Sequence, residues 1–404
     1  MRKKILLAAV VSVATLLLAM LAAEIYLRHR LGPRSPQAYD VEVSTHDGQK
    51  ISPQTGSVKL ALAPFTVYRN LPSQHMAAVN INSRGLRNEE GAELDSRPKI
   101  IFLGGSAAFG QGAETDQDTI PAIRQRSIKS HRVLNAGVIG FQSGQELTYL
   151  VTQLIDYQPA IVVAYDGWND VFDVAHGPER DVNDLGFNSN FYSFEHQLVL
   201  NYQTQVSPYE SLSRLIGATS SKSLVLTRFA QAISTHQRQE AITAQASANQ
   251  ARFREKAVLD SIVTTYVSNV RKMAVFSCAS GARFVLVLQP ELGQRLNATA
   301  EEKRLLSAAT MGNIPYGDSF PALYREFLAE AKQRLTRVGI EWIDTNESPL
   351  YQGSTATLFL DPVHTNRRGN EIVAEIMAPK LQLLIAQISQ PTSSIASQRS
   401  NVLK

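Results

Sequence analysis

From residue 99 onward, short apolar runs alternate with longer stretches of helical periodicity, and this alternation constrains the fold more than any other feature. It is typical of βα units that build a parallel sheet. Gly281 and Gly339 end the helices before the last two strands, as a left-handed helix cap requires. The sequence therefore predicts a flavodoxin-like α/β fold, a doubly wound sheet of five parallel strands. The predicted strands are 99–103, 132–136, 160–165, 283–288 and 340–344, and the predicted helices are 118–130, 144–157, 256–280, 321–338 and 366–384.

Composition narrows the possible functions. The chain has 404 residues, enough for one large domain with an appendage, and its 40 basic and 36 acidic residues are interspersed. We therefore expect no nucleic-acid partner. Cys278 is the only cysteine, which excludes an internal disulfide or a cluster of thiolate ligands. No metal-ligand spacing and no phosphate-binding loop is present, so we predict neither a metal nor a cofactor.

Residues 5–23 form an almost uninterrupted apolar stretch, close to the length that spans a bilayer. A cleaved signal peptide has a shorter core of about 7–15 residues and small residues before the cleavage site. Here cleavage would place Met20 or Leu21 at a position that should be small. We therefore predict an uncleaved transmembrane anchor within residues 1–30, with the lipid bilayer as a partner. Basic residues flank both ends, so a periplasmic or extracytoplasmic body is an expectation only.

The remaining chain divides by composition. Residues 31–95 are rich in polar and turn-forming residues, and we expect an irregular extension. Residues 96–388 contain the α/β pattern, interrupted over 171–255 by an insertion whose amphipathic spacing predicts a largely helical segment. Residues 389–404 are Ser-rich and poor in aromatics, which predicts a disordered tail.

Polar side chains and glycines follow the first three predicted strands. Ser106 follows Gly104 and Gly105, Gly140 ends an Asn-Ala-Gly-Val-Ile-Gly run, and Asn169 lies in Gly-Trp-Asn-Asp. The carboxyl ends of parallel strands share one edge of the sheet, where ligands of open α/β folds bind. A serine there can attack a carbonyl, and amide groups can stabilise a developing oxyanion. Each segment taken alone is more often a turn or a helix cap.

A fourth segment, Leu-Asp-Pro-Val-His, precedes the terminal helix. Asp361 lies three residues before His364, so its carboxylate can accept the Nδ1 hydrogen and leave Nε2 to take a proton from a serine. The alternative is that Asp361 caps the helix, with Pro362 at its first position. These residues taken alone favour the two interpretations equally.

Together the four segments resemble the SGNH or GDSL hydrolase family over roughly residues 99–385. The resemblance implies that Ser106 is the nucleophile, that His364 is its base and Asp361 the orienting acid. It also implies that Ser106, Gly140 and Asn169 supply the oxyanion donors. Two features depart from the family pattern: Gly105 stands where many members have Asp, and small members lack the insertion.

The function that follows from this resemblance is a serine-dependent hydrolase of carboxylic or O-acetyl esters, acting at the cell envelope. Its substrate would be a small molecule or a polysaccharide. Two alternatives remain open at this point. One is an O-acyltransferase that modifies an envelope polysaccharide, and the other is a non-catalytic, membrane-tethered binding protein.

Overall fold

A computed structural model describes residues 15, 18–23, 26, 38–41, 58–63, 65–76, 78–176, 256–311 and 314–389. The chain divides into two compact units, residues 1–38 with 193–244 and residues 39–192 with 245–404. The account below concerns the second unit. Most of the predicted insertion, from residue 177, and the predicted tail from residue 390 lie outside the described residues.

Five parallel strands form the central sheet, as the sequence predicts. The described strands are β1 (Ala38–Val41), β2 (Val58–Ala63), β3 (Val67–Asn70), β4 (Gln74–His75), β5 (Asn80–Ile81), β6 (Lys99–Gly104), β7 (Arg132–Asn135), β8 (Pro159–Asp166), β9 (Arg283–Leu288), β10 (Thr310–Met311), β11 (Ile314–Pro315) and β12 (Trp342–Asp344). Across the central sheet their order is β12-β9-β8-β6-β7. Counted along the chain this is the order 2-1-3-4-5, which defines a flavodoxin-like sheet.

The sheet is covered on both faces. The described helices are α1 (Ser106–Phe109), α2 (Ile120–Ser127), α3 (Ser143–Thr152), α4 (Trp168–His176), α5 (Lys256–Ala279), α6 (Ala300–Ala308), α7 (Tyr316–Arg337), α8 (Pro349–Gly353) and α9 (Arg367–Ser389). Alternate strand residues such as Ile100 and Val163 pack with Ile120 of α2 and Met377 of α9. Helix α5 lies against β8 and β9 and contacts α3 and α7.

Several predicted boundaries were wrong, for physical reasons. Helix α7 begins at Tyr316 and not at Pro321, which lies inside it. Tyr316 and Phe320 are both buried one turn apart, so packing of this first turn outweighs the poor helix propensity of proline. Strand β12 begins at Trp342, two residues later than predicted. Helix α2 begins at Ile120 because the Thr119 hydroxyl caps it by accepting from the Ala122 amide.

Both predicted helix-ending glycines are confirmed, since Gly281 and Gly339 have φ of 91° and 70°. The extension over 31–95 is more regular than expected. It contains a three-stranded sheet of β1, β2 and β3 and a two-stranded sheet of β4 and β5.

Part of this extension covers the open edge of the central sheet. Strand β7 pairs only with β6, and its outer side receives a run of polar contacts. The Arg87 amide donates to the Asn135 carbonyl at 3.0 Å, and the Asn135 amide donates to Asn88 Oδ1 at 2.8 Å. The Asn88 side chain in turn donates to the Val133 carbonyl at 3.3 Å. The extension thereby blocks an edge that could otherwise pair with another chain.

In the part of the chain that the structure describes, no helix combines the length and apolar character needed to cross a bilayer. Residues 5–23, the predicted anchor, are described only at Thr15 and over 18–23, where they are helical. The anchor therefore stays a prediction.

Candidate active site

The carboxyl end of β6 presents Ser106 at the edge of the sheet. Gly104 has φ of 154°, and a Cβ atom there would lie 2.3 Å from the Tyr165 carbonyl oxygen of the neighbouring strand. Only glycine therefore lets the chain leave the sheet at this point. Gly105 follows as the N-cap of α1, and Ser106 is the first residue of that helix. The Ser106 amide consequently has no partner within the helix and is available to an external acceptor.

Gly105 is required by its neighbours. A Cβ atom at this position would lie 2.4 Å from Asn169 Nδ2 and 3.0 Å from the Phe141 carbonyl oxygen. The side-chain amide of Asn169 thus sits directly over the Gly105 backbone, beside the serine. This crowding explains why the chain has glycine where many SGNH proteins have aspartate.

A narrow loop before α9 carries His364. The Leu360 amide donates to the His364 carbonyl at 2.9 Å, and the Leu292 amide donates to the Pro362 carbonyl at 2.9 Å. Helix α9 begins at Arg367, where Asn366 Oδ1 accepts from the Gly369 amide at 3.0 Å. Asn366 is therefore the residue that caps the helix, and the alternative in which Asp361 caps it was wrong.

The structure brings together the three side chains that the sequence pairs across the fold. The distance from His364 Nε2 to Ser106 Oγ is 2.8 Å, and that from His364 Nδ1 to Asp361 Oδ2 is 2.6 Å. The other carboxylate oxygen, Asp361 Oδ1, accepts from the amides of Val363 and His364 at 2.8 and 2.7 Å. These contacts form one relay from carboxylate through imidazole to hydroxyl.

The electrostatics of the relay keep the acid ionised. Burial alone would raise the pKa of Asp361, but the charge of His364 and the hydrogen bonds from His364 and Val363 outweigh burial. The pKa of Asp361 therefore lies below its ordinary value. The side chains of Asp361 and His364 are each 12% exposed, so the relay is shielded but reachable from solvent.

The predicted oxyanion donors lie around the same serine. Asn169 is the second residue of α4, and its Nδ2 donates to the Phe141 carbonyl at 2.6 Å. Gly140 immediately precedes Phe141 in a turn closed by the Phe141 amide and the Val138 carbonyl at 3.1 Å, and it has φ of 77°. Gly137, interpreted from sequence as a turn residue, also allows a close approach, because a Cβ atom there would lie 2.2 Å from the Phe109 amide nitrogen.

The sheet order explains why these segments converge. In a sheet of order 2-1-3-4-5, the connections of the first and third strands leave in opposite directions and open a crevice at their carboxyl ends. Ser106 follows the first strand, β6, and Asn169 follows the third, β8. The loop with Gly140 follows β7 on the other side of β6.

Sequence reasoning missed a group of buried polar residues behind these loops. Asp170, interpreted only as part of a turn, lies in α4, and its carboxylate accepts from Ser143, the first residue of α3. Glu146 and Asp166 are buried beside it. The Asn-Asp pair after a strand was the only sequence signal for this group, because the partner Ser143 has no distinguishing motif.

The fold and the site together have the segment order, the Ser-His-Asp relay and the placement of Asn that characterise the SGNH, or GDSL, hydrolases. No protein-family model matches the chain, and no curated protein sequence matches it.

Three solved structures with similar architecture have names from this class of enzymes. A member of the lipolytic G-D-S-L family from Veillonella parvula is 12% identical with a TM-score of 0.38, over 70% of this chain and 98% of that one. A carbohydrate acetylesterase family member from Sinorhizobium meliloti is 11% identical with a TM-score of 0.38, over 72% and 99%. An acetyl xylan esterase is 12% identical with a TM-score of 0.36, over 70% and 99%. What this site does is inferred below from its own atoms.

Proposed function

We propose that the protein is a serine-dependent ester hydrolase of the SGNH type, acting on a carboxylic or O-acetyl ester. His364 Nε2 removes the Ser106 proton as Ser106 Oγ forms a bond to the ester carbonyl carbon. The protonated imidazole, oriented and stabilised by Asp361, then gives this proton to the departing alkoxide, which leaves an acyl-serine and a free alcohol. Water activated by His364 releases the acid and regenerates Ser106.

The negative charge of the tetrahedral intermediate needs donors at the sheet edge. The Ser106 amide, the Gly140 amide and the Asn169 side chain are the proposed donors. One hydrogen of the Asn169 amide is held by the Phe141 carbonyl, and this contact fixes the orientation of the group that carries the second hydrogen. Donors held in place before the reaction stabilise the transition state without reorganisation.

The observation that carries this proposal is the unbroken relay from Asp361 through His364 to Ser106, with distances of 2.6 and 2.8 Å. The test is hydrolysis of p-nitrophenyl acetate by the wild type and by Ser106→Ala, which should have no turnover above background.

The chain offers a matched control for this variant. Ser130 Oγ contacts His131 Nδ1 at 2.9 Å, a serine–histidine pair at the start of β7, remote from the carboxyl edge of the sheet. Ser130→Ala removes a comparable hydrogen bond, and it should leave the rate within about twofold, as surface changes away from a site usually do. Turnover by Ser106→Ala at the wild-type rate would rule the proposal out.

Acyl transfer is an alternative outcome of the same chemistry. An acyl-serine can be attacked by a sugar hydroxyl in place of water if the site binds the sugar. Product analysis with added oligosaccharide separates the two, since transfer yields acylated sugar and hydrolysis yields free acid. Absence of both products, with Ser106 unreactive, would favour a tethered binding protein.

We further propose that the enzyme is held at a membrane by residues 5–23 and faces the periplasm or the outside of the cell. The support is the apolar stretch itself and the exposure of Leu18 and Leu21, at 66% and 56%, within its described helical residues. Apolar side chains on such a helix fit a lipid environment. A reporter active only outside the cytoplasm, fused after residue 404, should be active in cells; an inactive, well-expressed fusion would contradict this orientation.

A further inference from the structure

The loops that bear the proposed oxyanion donors are joined behind the site by a buried carboxylate. Asp170 Oδ1 accepts from the Ser143 hydroxyl at 2.5 Å, and Asp170 Oδ2 accepts from the Ser143 amide at 3.2 Å. Asn269 of α5 donates its Nδ2 hydrogen to the same hydroxyl oxygen at 3.1 Å. All three residues are buried, so water does not compete for these bonds.

These bonds connect two short segments, 140–143 and 169–170. Within them, Asn169 Nδ2 donates to the Phe141 carbonyl at 2.6 Å, and Gln142 Nε2 lies 3.5 Å from the Asn169 carbonyl oxygen. The segment before α3 contains Gly140, and the start of α4 contains Asn169. Two of the proposed oxyanion donors therefore belong to segments whose separation is set by this set of contacts.

We propose that Asp170 is a positioning residue, which holds the Gly140–Ser143 segment against Asn169 by accepting two hydrogen bonds from Ser143. This inference rests on the proposed esterase function, because the donors matter only if an oxyanion forms.

An ionised carboxylate is the group that this arrangement requires. Both contacts from Ser143 are donated, one by N–H and one by O–H, so the partner must offer two acceptor oxygens. An asparagine at position 170 offers one oxygen and one NH₂ group, which would face one of the Ser143 donors. Asp170→Asn thus removes one bond and places two donors against each other while preserving the shape of the side chain.

The surroundings of Asp170 make its charge sensitive to pH near neutrality. Burial, and secondarily the charge of Asp166, raise the pKa of Asp170 to about 7. Three titratable groups face it: Glu146 from α3, Asp166 from β8, and Tyr266 from α5, whose hydroxyl donates to Asp166 at 2.5 Å. Burial and Asp166 also raise the pKa of Glu146 well above its ordinary value, so Glu146 stays neutral over the same range.

The test is steady-state hydrolysis by the full-length wild type and Asp170→Asn between pH 6 and pH 8, with p-nitrophenyl acetate as the probe. At pH 8 we expect kcat to fall about 10- to 100-fold with KM within about threefold, because a displaced donor weakens transition-state binding more than substrate binding. The ratio of wild-type to variant kcat should rise roughly tenfold from pH 6 to pH 8, since protonation already removes the second acceptor at low pH. Titration of His364 is common to both proteins and cancels in this ratio.

Two further variants separate positioning from general damage. Glu146→Gln replaces a neutral buried carboxyl of the same cluster with a neutral amide, and it should keep kcat within about threefold. Ser143→Ala should lower kcat as well, and Asp170→Asn with Ser143→Ala should be no slower than Asp170→Asn alone, because both changes break one linkage. Ser143→Ala decides the matter if Asp170→Asn does not fold.

Three results would overturn the positioning role: an Asp170→Asn kcat within twofold of wild type at pH 8, a ratio that does not change with pH, or an equal loss in Glu146→Gln. In each of these cases the wild type is active and Ser106→Ala is not, so the esterase proposal stands. An inactive wild type would instead remove both.

Discussion

Replacing Gly105 with alanine should slow ester hydrolysis about 100- to 1000-fold while leaving the protein folded. The added Cβ atom would lie 2.4 Å from Asn169 Nδ2, whereas ordinary contacts of this kind begin at 3.4 Å, so the amide must move by about 1 Å. The Phe141 carbonyl, 3.0 Å from the same point, belongs to the backbone and yields less readily. Asn169 therefore has to give up its bond to Phe141 and its position beside Ser106.

The size of the effect follows from the group that is displaced. Loss of one oxyanion donor typically removes about 2.7–4 kcal/mol of transition-state stabilisation. The backbone of Gly105 has φ of −80°, which alanine adopts without strain from positive φ, so the unfolding free energy should change little. The expected signature is a large fall in kcat with a KM and a melting temperature close to those of the wild type.

The assay is steady-state hydrolysis of p-nitrophenyl acetate together with thermal unfolding of the same preparation. Gly353→Ala is the matched control, because a Cβ atom at Gly353 would meet nothing within 4 Å. That variant should behave as wild type in both measurements. A Gly105→Ala protein that keeps more than about a tenth of the wild-type kcat would refute the placement of Asn169 as an oxyanion donor.

Asp361→Asn should lower kcat by about 10³- to 10⁴-fold with little change in KM, because the neutral amide no longer selects the His364 tautomer; steady-state rates check this, and a loss under tenfold would contradict it. The pKa of Asp170 is raised by burial to about 7 in the folded protein, so the native state holds a proton that the unfolded chain releases near pH 4. Stability from this group is present below about pH 4 and is lost as pH rises to about 7, and denaturant unfolding of wild type and Asp170→Asn should diverge by up to about 4 kcal/mol over this range. Parallel pH dependences would contradict that shift. Arg295 and Glu302 form an ion pair with both side chains fully buried, so Arg295→Leu should lower the unfolding free energy by about 3–5 kcal/mol in the same measurement, and a change below about 1 kcal/mol would refute a structural role.

The parts of this fold that the sequence predicted are those in which local pattern and tertiary packing agree. Strands β6, β8 and β9 are buried almost throughout, and their apolar runs are visible in the sequence. The start of α7 was not predictable in the same way, since Pro321 is a strong local start signal and only the packing of Tyr316 and Phe320 overrides it.

The site shows the same division. Ser106, Asn169 and His364 could be selected because each stands at the end of a recognisable segment and their order along the chain is informative. Gly105 and Asp170 could not be assigned a role, because their importance depends on distances to Asn169 and Ser143, residues with no sequence relation to them. Such contacts are set by the sheet order, which the linear pattern does not contain.

The central claim is that Ser106 is a nucleophile activated by His364, and covalent labelling of the full-length protein tests it most directly. After treatment with a fluorophosphonate, mass spectrometry should find one adduct on the peptide that contains Ser106, and His364→Ala should label at least about 100-fold more slowly. An adduct on another serine, or equal labelling without His364, would contradict it.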